Sequence, residues 1–479
     1  MSKKDTKGIT IKKSDDFSEW FQQVILKSEL ADYTEVSGCI VFRPLSYAIW
    51  EKIVKEVDRR FKDLGIQNVY FPLFIPEKTF GKLMKHTEDF APEVAWVTHS
   101  GSSKLNERLA IRPTSETIMY ESYSKWIRSY RDLPLKYNQW NNVVRWEFKN
   151  PVPFLRTREF LWNEGHTVYA SAKDAMAEEK EIIRIYKEVC EEFMALYGIP
   201  GKKSKKETFP GAEYTISIEY YMPHGKAIQG PDFHYDGQHY AKAYEIKFKN
   251  AKEEFEYAYQ NTFAISTRML GVMFAVHSDD KGLVLPPKVA PNKIVIVPIM
   301  FEKDKNVLES ARKLFNDLKE FNPILDDREG YSPGFKFNEW ELKGIPIRLE
   351  IGPKDLKEKS VILCRRDNDK KEKAKIKELS KFILKMLEDI QGNLFKKSKK
   401  LFNDNIIQVK TISELLKGIE NKKVCLTPLT SDFKVEEELK EKTGGAKVLN
   451  IPTKQPKELG KCVISGKKAE YLAYVGKSY

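Results

Sequence analysis

The sequence predicts an α+β fold, in which an antiparallel sheet with helices outside it is followed by two small α/β units. Three observations predict it. Apolar residues alternate with period two from Gln139 to Tyr169, between segments of helical period. Composition changes at Leu285-Pro286-Pro287 and again at Pro291. Beyond that point strand and helix patterns alternate. A chain of 479 residues is also long enough for two to four domains.

In chain order, Ser14 or Asp15 is expected to cap a first helix whose apolar residues are Phe17, Trp20, Phe21, Val24 and Ile25. A second helix puts Trp50, Ile53, Val54, Val57, Phe61 and Leu64 on one face and stops at Gly65. A short strand is expected at Val69 to Phe71, ended by Pro72. The period-two stretch folds into a hairpin with its loop near Pro151 and Pro153. A helix then runs to about Tyr197, closed by Gly198 and Pro200; strands are expected near 213–220 and 242–249, and a helix after Glu253. The middle unit should hold strands at Ile294–Ile299, Pro346–Ile351 and Val361–Cys364, and helices at Val307–Leu318 and around Ile376, Leu379, Ile383, Met386 and Ile390. After Gly392 the lysine-rich run Lys396 to Lys400 reads as a joint to a third module. The expected division is 1–287, 288–392 and 393–479.

Composition narrows the function. Hydrophobic residues make up 41% and charged residues 32%, the balance of a globular protein with a real core. No run reaches the roughly 18–20 apolar residues of a membrane span, and Met1 to Lys13 has no apolar core of a secretory signal. Five scattered cysteines argue against a disulfide framework and for a reducing compartment. A cytoplasmic protein is expected, with no membrane partner. Lys+Arg exceeds Asp+Glu by 82 − 69 = 13, which suits a polyanionic partner such as RNA or reflects a lysine-rich proteome. There is no Walker A or dinucleotide glycine fingerprint.

One set of residues carries chemistry. If Val143 to Phe148 is a strand, Arg145 and Glu147 share one face, with Trp146 and Phe148 on the other. The same arithmetic puts Phe160, Trp162, Glu164 and His166 together, and Arg156 and Arg158 lie in the connecting loop. Arg112 to Thr117 brings Thr114 and Glu116 in a tight loop, and Gln229, His234 and Arg268 stand beside expected strand ends. A core does not tolerate such a set unpaired. Aromatics beside arginines suit stacking on a planar ligand better than solvent.

Gly38-Cys39-Ile40-Val41-Phe42-Arg43-Pro44 through Phe71-Pro72, Val144-Arg145-Trp146-Glu147 through Phe160, and Ser266-Thr267-Arg268 through Pro287 resemble the three motifs of class II aminoacyl-tRNA synthetases. Arg112 to Thr117, Phe160 to His166 and the terminal tyrosine are similar to the prolyl-tRNA synthetase family in its archaeal and eukaryotic-type form. That resemblance implies a homodimer ligating L-proline to tRNA(Pro) through an adenylate, with ATP and Mg²⁺. It implies that Arg145 holds the α-phosphate and the proline carboxylate, and that Arg156 and Arg268 clamp the outer phosphates. Phe160 would stack on adenine, Gln229 and Ser266 would bind the nucleotide, and Glu147 would orient it or its Mg²⁺. Thr114 and Glu116 would accept from the proline ammonium, with Trp162, Glu164, His166 and His234 shaping the pocket. A synthetase for another amino acid, or a synthetase-like RNA-binding protein without catalysis, are the alternatives. Residues 167–228 are too few for an inserted editing domain.

The chain departs from the family at Asp232, Phe233 and Asp236, where small hydroxyl residues and a leucine are usual. By resemblance, 288–392 is an anticodon-binding domain, with Glu350, Lys354 and Arg365 as readers. The third module resembles a zinc-binding one, yet Thr430 and Ser465 stand where thiolates are expected beside Cys425 and Cys462. Structural zinc is therefore not expected, and apart from the Mg²⁺ of ATP no metal-ligating residues are assigned. The ending Gly476 to Tyr479 is expected to tuck toward the catalytic domain.

Overall fold

The structure, a computed structural model, describes residues 8–86, 93–147 and 149–479. The expectation for Phe148, and the first seven residues of the lysine-rich N-terminus, lie outside the described residues.

A seven-stranded sheet forms the centre of the first unit. Its strand order is Gln67–Asn68, Leu135–Val144, Glu159–Tyr169, Tyr259–Ala264, Ala227–Gly237, Tyr214–Tyr221 and Ile199–Lys202. The first pair is parallel and every other pair antiparallel. One face is sealed by the amphipathic helices Phe17–Lys27, Pro44–Asp63 and Ala172–Glu192, whose apolar stripes meet in a core containing Trp20, Ile53, Phe61, Tyr186 and Phe263. Burying such stripes is the main stabilising term, at roughly 25 cal/mol per Å² of apolar surface. Gly165 sits where the sheet meets that core, and a Cβ there would overlap the Phe263 ring. The other face of the central strands stays partly open, and the cavity lies there.

Local chemistry explains where elements begin and end. Asp16, rather than Ser14 or Asp15, caps the first helix, its carboxylate accepting from the N–H groups of Ser18 and Glu19 at 2.9 and 3.1 Å. The second helix stops as expected, with Gly65 at φ +75°. The third helix of the core ends at Glu192, short of Tyr197. The strand expected at Val69 to Phe71 is instead the two-residue Gln67–Asn68, although the Val69 N–H still donates to Asn138 O. Residues 242–249 split into the helix His239–Ala243 and the strand Lys247–Lys249. No helix follows Glu253. The Asn250 carboxamide accepts from the N–H groups of Lys252 and Glu254, a side-chain-capped turn that pairs Lys247–Lys249 with Phe255–Tyr257.

The middle unit is a five-stranded mixed sheet, ordered Ile324–Leu325, Ile294–Pro298, Ile347–Ile351, Ser360–Arg365 and Lys371–Lys375, with its own apolar core. The helix Leu379–Asn403 closes it and continues without a break through Lys396 to Lys400, so that lysine-rich stretch is helical. The last unit is a four-stranded sheet. Its end returns to the first unit: the Ala227 N–H donates to Lys477 O at 2.8 Å, and the Tyr479 N–H to Ala227 O at 3.0 Å. Among the described residues no helix is long and apolar enough to cross a membrane.

Candidate active site

The antiparallel register sets the floor of the cavity. Asn141 pairs with Trp162, Gln139 with Glu164 and Tyr137 with His166. Alternation along Glu159–Tyr169 therefore presents Phe160, Trp162, Glu164 and His166 on one face. These four residues, with Thr114, Glu116, Arg145, Gln229, His234, Ser266 and Arg268, line a single cavity of about 760 Å³. Sequence reasoning placed all eleven in the site, and the structure brings them together.

Arg145 reaches the cavity by a route different from the expected one. The strand ends at Val144: the Arg145 N–H adds one last rung to Arg158 O, and the Trp146 N–H then turns away to Glu93 O. Glu147 is consequently exposed on a turn and is not part of the wall. The Arg145 guanidinium is held instead by its own contacts. Its Nε donates to Pro113 O at 3.0 Å, and its carbon lies 5.6 Å from the Phe160 ring and 5.1 Å from the Trp162 ring. The two rings meet edge to face at 5.5 Å. Arg156 is exposed and also absent from the wall.

Arg268 opens the helix Arg268–His277, with Nε donating to Leu155 O at 3.2 Å and Nη1 to Gln229 O at 3.3 Å. Burial, and then the like charges of Arg145 and Arg156 against the opposing Asp232, hold its pKa below the usual arginine value. A site that crowds guanidinium groups against their own repulsion is prepared for an anion.

Two buried carboxylates, Glu164 and Glu116, also line the cavity. The Glu164 carboxylate accepts from the Ser115 N–H and Oγ at 2.8 Å each and from Asn141 Nδ2 at 2.7 Å, and it lies 3.4 Å from His166 Nε2. Burial alone would raise its pKa. Hydrogen bonds from His166, Asn141 and Ser115 outweigh burial and hold it at about 2. Glu116 differs: burial, aided by the nearby Glu164 charge and opposed by His166, pushes its pKa up. It takes the Thr114 hydroxyl as donor. Arg112 fixes this loop from behind, donating to Asn142 O and Phe71 O at 2.9 and 2.8 Å.

His234 and Asp232 line the same cavity. His234 Nδ1 is 2.7 Å from Thr215 Oγ1, and its Nε2 is 3.6 Å from the Asp232 carboxylate, which also accepts from Gln229 Nε2 at 2.8 Å. Asp232 lines the cavity, and its spacing of two from His234 on one strand was the signal that could have placed it there. Phe233 faces away into the core, parallel to Phe263 at 6.3 Å. Asp236 is fully buried, with a pKa that burial and then Glu116 push well up. Lys206–Pro210, Phe433 and Glu437 also line the cavity. No local pattern marked them: Lys206–Pro210 lie in an irregular loop after Ile199–Lys202, and docking of the last unit brings Phe433 and Glu437 there.

In the middle unit, Glu350 is buried against Arg348 and Lys371, each 3.0 Å away, and Arg365 is paired to Asp367 at 2.9 Å. Lys354 is exposed in the helix that follows Gly352.

Comparison with known proteins agrees with this geometry along the whole chain. Residues 96–277 match the tRNA synthetase class II core domain (G, H, P, S and T), 293–386 the anticodon binding domain, and 412–479 the prolyl-tRNA synthetase C-terminal domain. A proline–tRNA ligase of Alkaliphilus oremlandii is 45% identical over 97% of this chain and 96% of its own. The cytoplasmic proline–tRNA ligase of Arabidopsis thaliana is 44% identical over 100% and 93%. The crystal structure of prolyl-tRNA synthetase from Cryptosporidium parvum, complexed with halofuginone and AMPPNP, superposes with a TM-score of 0.95 at 43% identity, covering 99% of this chain and 100% of that one. Full-length likeness at this identity, on a cavity that pairs arginines and rings with buried carboxylates, leaves one conclusion: the chain belongs to the prolyl-tRNA synthetases, within the class II aminoacyl-tRNA synthetases.

Proposed function

We propose that the cavity holds ATP and L-proline side by side, and that the observation carrying this reading is the convergence of Arg145, Phe160 and Arg268 with Glu116 and Glu164 on one cavity. A proline carboxylate oxygen attacks the α-phosphorus, the bond to the β-phosphate breaks, and pyrophosphate leaves. A hydroxyl at the tRNA(Pro) end then attacks the adenylate carbonyl, and AMP leaves. The attacking carboxylate is already anionic, so no protein base is required. Positioning and charge stabilisation supply the rate.

Arg145 bridges the α-phosphate and the proline carboxylate as charge develops. Arg268 and the exposed Arg156 grip the outer phosphates through their fixed donor forks. Phe160 stacks on adenine, and Gln229 and Ser266 bind the nucleotide. Thr114 and Glu116 accept from the proline ammonium. Trp162, Glu164, His166 and His234 shape the ring pocket. Glu147, exposed at the turn beyond Val144, would help hold the Mg²⁺ that accompanies ATP, which would supply charge neutralisation at the phosphates. Structural zinc is not part of the proposal, because Cys425 and Cys462 supply two thiolates of the four-ligand set.

The units 1–287, 288–392 and 393–479 then act as catalytic domain, anticodon reader and C-terminal module. Glu350, Lys354 and Arg365 contact anticodon bases, in a cytoplasmic homodimer. Charging of tRNA(Pro) with proline, alanine and threonine in parallel tests the reading. Proline should dominate, with alanine charged weakly, because each missing methylene discriminates by only about 1–3 kcal/mol. Charging with threonine alone would reject it.

Glu116→Gln should raise KM for proline about tenfold or more, the worth of a charge-assisted hydrogen bond, and leave KM for ATP unchanged. The carboxyl of Glu116 stays protonated to higher pH than an ordinary glutamate. KM for proline in the unmodified enzyme should therefore climb as pH is lowered, and the glutamine variant should lose that dependence.

A further inference from the structure

Part of the cavity wall serves neither ATP nor proline. Lys206 and Phe209, in the loop after the Ile199–Lys202 strand, and Phe433 and Glu437, on the C-terminal helix Phe433–Lys442, line it beyond the groups already assigned. Two distant parts of the chain thus share one rim. The rim is fixed from beneath. Lys203 Nζ, buried, donates to Glu219 at 2.7 Å and to Leu449 O at 2.8 Å, tying the loop to both units. Ser204 Oγ donates to Glu436 at 2.9 Å, and Lys447 reaches Glu207. The buried Ser204–Glu436 and Lys203–Leu449 bonds cross between the units, and leaving either partner unsatisfied is unfavourable, so the loop and the helix hold their relative position.

On this rigid base stand two groups suited to a third ligand. The Phe433 side chain is 53% exposed although it lies at the cavity, and an open ring face there offers a platform for a flat base. Lys206 lies 3.3 Å from Glu437, with the two side chains 28% and 67% exposed. Ion pairs this open to water are weak, and the lysine can exchange its partner for a phosphate. The second half-reaction needs an unpaired nucleotide strand to pass a rim of this cavity and deliver a hydroxyl to the adenylate. The excess of 13 positive charges favours such a strand.

We propose that Phe433 and Lys206 receive the single-stranded acceptor end of tRNA, a base stacking on the ring and a phosphate replacing Glu437 at the ammonium. The C-terminal module is then a part of the transfer site, and Glu437 opposes strand entry by its charge. This rests on the enzyme reading above and assigns a place to its third substrate.

Two assays separate the possibilities: proline-dependent exchange of pyrophosphate into ATP, which needs no tRNA, and charging of tRNA(Pro). Phe433→Ala should raise KM for tRNA about tenfold, the effect of removing one stacking platform, with exchange unchanged. Phe433→Trp should restore charging. Lys206→Ala should weaken tRNA use and reduce its salt dependence by about one phosphate, and Glu437→Gln should lower KM for tRNA. Exchange falling in step with charging, or charging untouched by Phe433→Ala, would overturn the proposal. Absence of proline-dependent exchange in the unmodified protein would instead overturn the enzyme reading, and the proposal with it.

Discussion

Arg145→Ala should lower proline-dependent pyrophosphate exchange about 10³-fold or more while leaving the fold in place. The scale follows from the role. Removing one preorganised donor from a site of developing charge costs about 10²–10³ in rate, and arginines on a transferring phosphoryl group contribute about 10³–10⁵. In its proposed role Arg145 serves two negatively charged substrates at once, so the upper part of that range applies. Its structural contribution is small by comparison. The guanidinium makes one hydrogen bond, to Pro113 O, and lies over two rings. Contacts of that type are worth about 0.5–2 kcal/mol each. Their loss is offset in part, because Arg145 repels Arg268. Arg145→Lys should recover little, since a point charge lacks the fork that joins a carboxylate to a phosphate. Exchange near the unmodified rate in Arg145→Ala, with an unchanged melting temperature, would remove Arg145 from the reaction.

Much of this site was legible in the sequence because a strand's alternation is rigid. Once Phe160 to His166 reads as a strand, every second residue must share a face, and all four point into the cavity. Arg145 was placed in the cavity for a partly mistaken reason. Alternation predicts a strand through Glu147, whereas the strand stops at Val144 when the Trp146 N–H pairs with Glu93 O. A backbone partner remote in sequence decided that, and no periodicity reports it. The expected helix after Glu253 failed for a local reason. One carboxamide, Asn250, stabilises a turn that apolar spacing does not encode. Asp232 departs from the family pattern, and its position two residues from His234 on one strand is sufficient to put it on the wall. Phe433 and Glu437 carried no such signal. They join the cavity through contacts between chain segments more than 200 residues apart, such as Ser204 with Glu436.

Glu164→Gln should destabilise the protein at neutral pH by on the order of 3 kcal/mol, and that loss should disappear in acid. The carboxylate is held at about 2, against an ordinary value of 4.5, by donors that all point at it. Each pKa unit is worth about 1.36 kcal/mol, which sets the scale. The folded-state pKa is depressed, so the stabilisation is complete above the unfolded value near 4.5 and is lost as pH falls toward 2. Melting temperatures of the two proteins should therefore differ by several degrees from pH 8 to about 5 and converge below about 4.5. Glutamine preserves the shape but turns an amide donor toward the Ser115 N–H or Asn141 Nδ2, leaving one of them without an acceptor. The Ser115 backbone is the link to function. It joins Thr114 to Glu116, so its release should raise KM for proline more than KM for ATP. A stability difference that persists unchanged at pH 3 would show that shape, and not the buried charge, is what Glu164 supplies.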